Sequence, residues 1–130
     1  MESNAILCVD DEDILLFALE NELRAAFGDR FLYETAPGAE QALAMIQRLA
    51  EEGVRTALVI SDWLMPGMKG DEFLMIVRDR HPDTKVILMT GHAEEEAIAK
   101  ILGDGRVLAV LRKPWKSGEL KRLIEDSLDH

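Results

Sequence analysis

A doubly wound α/β fold, with a mainly parallel sheet covered by helices on both faces, is what this chain predicts. Three observations predict it. Short apolar runs of strand length alternate five times with segments whose apolar residues recur at three and four residue steps. Glycine or proline punctuates most of the exchanges. Carboxylates stand at the ends of the first and third runs, where an open α/β sheet binds its ligands. Parallel strands need crossovers, and each right-handed crossover helix covers one face of the sheet.

The elements follow in order. Ala5 to Val9 is the first expected strand, followed at once by Asp10 and Asp11. From Glu12 to about Phe27, Leu15, Leu16, Leu19, Leu23 and Ala26 mark one covered helix face, and Gly28-Asp29 ends it. Phe31 to Thr35, with two aromatics and a threonine, suits a pleated sheet. Pro37-Gly38 opens a second helix through roughly Glu51, with Ala39, Ala42, Leu43, Ile46 and Leu49 inward, and Gly53 closes it.

Ala57 to Ile60 is a branched apolar run that delivers Asp62 to a strand mouth, and Pro66 and Gly67 turn the chain abruptly. Asp71 to Arg80 is the third helix, with Phe73, Leu74, Ile76 and Val77 for packing and Pro82 as its stop. Lys85 to Met89 is a strand leading into Thr90-Gly91-His92-Ala93. A helix is expected from about Glu94 to Leu102, with Gly103 and Gly105 at its exit. The last strand is Val107 to Leu111, then Arg112-Lys113-Pro114, then a helix from Ser117 as N-cap with Leu120, Leu123, Ile124 and Leu128 inward.

Bulk properties bound the function. A chain of 130 residues is long enough for one domain, 1–130, but not two. No apolar run is long enough to cross a bilayer, and the acidic start Met-Glu-Ser-Asn carries no signal peptide, so a cytoplasmic protein is expected. The net charge of −10, with scattered basic residues, excludes direct binding to nucleic acid or to an anionic membrane. No linker, repeat or attached output domain is visible. Cys8, the single cysteine, reads as a small buried hydrophobe.

The strand ends converge on Asp10, Asp11, Asp62, Thr90 and Lys113. Three carboxylates offer hard oxygen ligands suited to Mg²⁺, which keeps waters and binds phosphate oxygens on its open side. The cation relieves their repulsion, so Asp62 stays ionised and can act as a nucleophile. The Thr90 hydroxyl and the Lys113 ammonium can hold phosphoryl oxygens that the metal leaves free. The competing readings are a loop carboxylate for Asp62, helix caps for Asp10 and Asp11, a turn residue for Thr90 and a solvated strand end for Lys113. Trp63 and Trp115 read as loop-packing aromatics.

Val9-Asp10-Asp11-Glu12, Asp62 with Met65-Pro66 and Gly70, Thr90-Gly91, and Lys113-Pro114 occur in this order, each at the end of an apolar run. Together they resemble the receiver domain of two-component response regulators, of the chemotaxis-regulator-like kind, over essentially the whole chain. The resemblance implies a flavodoxin-like (βα)5 sandwich with strand order 2-1-3-4-5, an order that alternation does not fix. It also implies that Asp62 is the phospho-acceptor and that Asp10, Asp11 and Asp62 hold Mg²⁺ with the Met65 backbone carbonyl. Thr90 becomes the switch hydroxyl and Lys113 the phosphoryl contact.

By the same resemblance the partner is a sensor histidine kinase or phosphotransfer protein. A downstream protein or an output domain outside this chain, and a homodimer, are further possible partners. Self-phosphorylation from small donors and autodephosphorylation are expected, in a phospho-acceptor rather than a conventional enzyme.

Departures from the family pattern carry expectations of their own. Val110 stands where an aromatic commonly swings inward, so switching is expected in the helix after Thr90 or its preceding loop. Leu64 and His92 occupy the positions that tune hydrolysis of the aspartyl phosphate. Leu64 cannot orient water by hydrogen bonding, whereas His92 can, and a long-lived phosphorylated state is expected. Two rival classes remain. A Mg²⁺-dependent aspartyl-phosphate phosphohydrolase would need a second acid at Leu64 and a cap segment. A non-phosphorylated scaffold would have no use for the acidic pocket.

Overall fold

In the computed structural model, residues 3–63, 67–68, 70–91, 109–116 and 118–128 are described. The first strand, β1 (Ser3–Val9), is buried from Ala5 onward. Its side chains alternate between two cores, which is why it reads as an unbroken apolar run. Next come α1 (Asp13–Phe27), a 3-10 turn (Gly28–Arg30), β2 (Leu32–Ala36), α2 (Ala39–Glu51), β3 (Val54–Asp62) and α3 (Gly70–Arg80). After these the described elements are β4 (Lys85–Thr90), β5 (Ala109–Arg112) and a C-terminal helix, α4 (Glu119–Leu128).

The strands form one five-stranded sheet in the order β2-β1-β3-β4-β5, with every neighbouring pair parallel. One face carries Ile6, Cys8, Leu58, Ile60, Ile87, Met89 and Leu111 against Leu16, Leu19 and Leu23 of α1 and Leu120 and Ile124 of α4. The other carries Leu7, Val9, Val59, Val86 and Leu88 against Ala39, Ala42 and Ile46 of α2 and Phe73, Leu74 and Val77 of α3. Most of the inward positions expected from helical periodicity on the described helices pack there, while Ala26 and Ile76 are only half-buried. Cys8 lies in the first core, and burial, with a further contribution from Glu20, pushes its thiol up to about 12.

Boundaries differ from the sequence expectation in ways that backbone pairing explains. β3 is nine residues long, because its pairing with β1 begins at Ser3 and Val54 and absorbs an irregularity between Ala5 and Ile6. α4 begins at Glu119, whose carboxylate accepts the Lys116 backbone N–H at 3.0 Å and ties the start of the helix to the segment before it. Gly53, just past α2, has φ +83°, a conformation that glycine adopts without a Cβ clash. Leu64, Met65, Pro66, His92, the helix expected over 94–102, the first two residues of the last expected strand and the Ser117 cap lie outside the described residues.

Candidate functional site

The sheet order brings the acidic residues together. β1 and β3 are adjacent, and Val9 pairs with Ser61, so the next residue on each strand, Asp10 and Asp62, emerges beside its counterpart. The chain leaves β1 toward β2 on one side and returns to β3 on the other. That makes this edge the topological switch point, where open α/β sheets form their ligand crevice. Further along the edge, Asp62 pairs with Met89, which places Thr90 one residue on, and Thr90 pairs with Arg112 immediately before Lys113.

Carboxylate oxygens of Asp10, Asp11 and Asp62 lie within 4.8 Å of one another. Asp10 is fully buried and Asp11 exposed, and the Asp62 side chain is 14% exposed. Lys113 reaches across the mouth, with Nζ 3.0 Å from Asp10 Oδ2 and 3.4 Å from Asp62 Oδ2. The other Asp10 oxygen, Oδ1, accepts the Glu12 N–H at 2.9 Å. Asp10 therefore borders the start of α1, as a capping role would have it, while its second oxygen serves the pocket. Glu12 itself occupies the N-cap position and makes no side-chain cap bond.

Burial by itself would lower the pKa of Lys113. The hydrogen bond to Asp10 and the charges of Asp62 and Asp10 outweigh it, and the net shift is upward. Lys113 is thus held as an ammonium. Its backbone N–H donates to the Thr90 carbonyl at 2.8 Å, which ties the end of β5 to the end of β4. Thr90 is buried, and its hydroxyl donates to the Gly91 carbonyl at 2.8 Å.

The residues present fit Mg²⁺. The donors are carboxylate oxygens, the hard ligands this cation takes, and they meet around a fully buried carboxylate. Lys113 offsets one of their three negative charges, and a divalent cation would balance the other two.

Five of the sequence-selected residues, Asp10, Asp11, Asp62, Thr90 and Lys113, thus share one edge of the sheet. Val110 is half-buried on β5 and packs against the core beneath α2 and α3. Leu64, Met65 and His92 lie outside the described residues. Trp63 and Trp115 are partly buried and pack against opposite cores. One feature escaped sequence reasoning. The indole Nε1–H of Trp115 donates to Glu22 Oε2 at 2.9 Å, across 93 positions of sequence. Nothing in local composition marks Glu22 apart from the other acids of α1.

Comparison with known proteins agrees with this geometry. The family described as the response regulator receiver domain matches residues 6–125. The chain is 32% identical over 127 residues to the sensor kinase CckA of Brucella abortus, covering 98% of this chain and 13% of that protein. It is 29% identical over 130 residues to the DNA-binding transcriptional regulator NtrC of Escherichia coli K12, covering all of this chain and 26% of that protein. A crystal structure of a response regulator receiver domain protein from Clostridium thermocellum superposes with a TM-score of 0.85 at 25% identity, over 97% of this chain and 94% of that one. A flavodoxin-like sheet, an acidic triad at its switch point and a family match over nearly the whole sequence lead to one conclusion: this chain belongs to the response regulator receiver domains of two-component signalling.

Proposed function

We propose that Asp62 is the residue on which this receiver takes a phosphoryl group from the phosphohistidine of a sensor kinase or phosphotransfer protein. The observation that carries the reading is the Lys113 ammonium, set between Asp10 and Asp62 at 3.0 and 3.4 Å within the carboxylate triad. An Asp62 oxygen forms the new P–O bond while the P–N bond to the donor imidazole breaks, leaving its electron pair on the ring nitrogen. Asp10, Asp11 and Asp62, with the Met65 carbonyl, would hold Mg²⁺, which supplies charge neutralisation at the phosphoryl oxygens. Lys113 moves from its carboxylate contacts onto a phosphoryl oxygen, and Thr90 turns its hydroxyl from Gly91 toward another.

The remaining assignments belong to the same reading. With Val110 carrying no ring, the conformational output runs through the segment after Thr90. Leu64 leaves the attacking water unoriented, and His92 is the residue that could assist it. Leu64→Asn, assayed with Mg²⁺, should accelerate loss of the phosphoryl group; an unchanged or slower rate would contradict that role. The protein works in the cytoplasm as one receiver domain, 1–130, and signals through a downstream protein, an output domain or self-association. No helix among the described residues is long and apolar enough to cross a membrane.

The test is intact mass after incubation with a small phosphodonor, with and without Mg²⁺, for the wild type and Asp62→Asn. One phosphoryl group should be gained by the wild type alone and only with the metal. No gain by the wild type, with partner binding indifferent to Asp62→Asn, would favour the scaffold.

A further inference from the structure

Lys113 must sit between two carboxylates to meet the phosphoryl group, and the chain that follows it borders a hollow. A cavity of about 400 Å³ lies against this segment, lined by Glu12, Leu15, Lys113, Pro114 and Trp115. On the strand side, Lys113 is anchored by its N–H bond to the Thr90 carbonyl. On the other side, the next side chain with a defined attachment is Trp115. Its ring packs at the margin of the core beneath α1, and its indole N–H is bonded to Glu22 at 2.9 Å. Glu22 lies two turns beyond Leu15 on α1 and is itself half-buried. A charged acceptor in a partly buried place makes a stronger bond than a solvated pair does.

From this we infer that Glu22 is a positioning residue for phosphoryl transfer: through Trp115 it fixes the segment that aims Lys113 between Asp10 and Asp62. The inference rests on the receiver reading above. Loss of the bond frees Trp115 to move into the adjacent cavity and lets the lysine drift, and a small misplacement of a catalytic group slows a reaction strongly. Glu22 touches neither the phosphoryl group nor the metal ligands, so it acts on the maximal rate and leaves donor binding alone.

The experiment measures phosphorylation rate against small-donor concentration, at saturating Mg²⁺, for the wild type, Glu22→Ala, Glu22→Gln, Trp115→Phe and the Glu22→Ala/Trp115→Phe double variant. Thermal melts of all five accompany it. Glu22→Ala and Trp115→Phe should each lower the maximal rate about 3- to 10-fold with the half-saturating donor concentration unchanged. The double variant should be no slower than either single one, because both remove the same bond. Glu22→Gln keeps an amide oxygen that accepts the indole N–H and should restore most of the rate. Trp115→Phe leaves a smaller aromatic ring and removes the donor while Glu22 stays intact, so it probes the bond from its other end even where Glu22→Ala unfolds. A wild-type rate in Trp115→Phe, additive losses in the double variant, or lowered melting with an unchanged rate would overturn the role of Glu22 and leave the receiver reading standing. Failure of the wild type to gain a phosphoryl group would overturn both.

Discussion

At the scale of single residues, Lys113 joins electrostatics to function. Its folded-state pKa lies above the ordinary lysine value of 10.5. The ion pair therefore contributes stability that is fully present below 10.5 and is lost as pH rises through the folded value. Alkaline denaturation followed by circular dichroism should show the wild type losing stability more steeply above that pH than Lys113→Met. Cys8 gives a second prediction. With its thiol pushed up to about 12, the native chain should resist alkylation by iodoacetamide at pH 8 and react on unfolding. Asp10, Asp11, Asp62, Thr90 and Lys113 were legible because each ends an apolar run. Glu22 was not, because the bond to Trp115 depends on how α1 lies against the turn after β5.

The described helices were legible at the scale of elements because their buried positions repeat at 3.6 residues. Phe73 is fully buried between α3 and the sheet, and Phe73→Ala should cost about 3–5 kcal/mol in urea denaturation. Ends were harder to read. β3 gains its length from pairing with β1, and the Glu119 carboxylate at the start of α4 holds the Lys116 N–H, two facts that no apolar pattern records.

The outward face of α1 carries a further expectation. Ile14 is 86% exposed and Phe17 67% exposed on a helix that begins three residues after Asp10. Large apolar side chains side by side near a reaction centre suit a protein donor. Ile14→Lys should slow phosphorylation by a cognate kinase or phosphotransfer protein while leaving the small-donor rate unchanged. An equal slowing of both would point to damage at the site itself.

For the molecule as a whole, five alternations of strand and helix require a covered parallel sheet, but they do not say which strands are neighbours. The order 2-1-3-4-5 had to come from likeness to receiver domains. That order decides the chemistry, because Asp10 and Asp62 meet only if β1 lies beside β3. The two aspartates stand 52 positions apart in the sequence, so the pairing rests on the packing of both sheet faces, which is a property of the complete fold.

The most direct measurement traps the phosphorylated residue itself. Borohydride reduces an aspartyl phosphate to homoserine, and trypsin separates the candidates, since Asp10 and Asp11 fall before Arg24 and Asp62 falls between Arg55 and Lys69. After treatment with a small phosphodonor and Mg²⁺, the account predicts homoserine at position 62, in the peptide spanning 56–69, and an unmodified N-terminal peptide. Homoserine at position 10 or 11, or a protein that gains phosphate without becoming reducible, would contradict it.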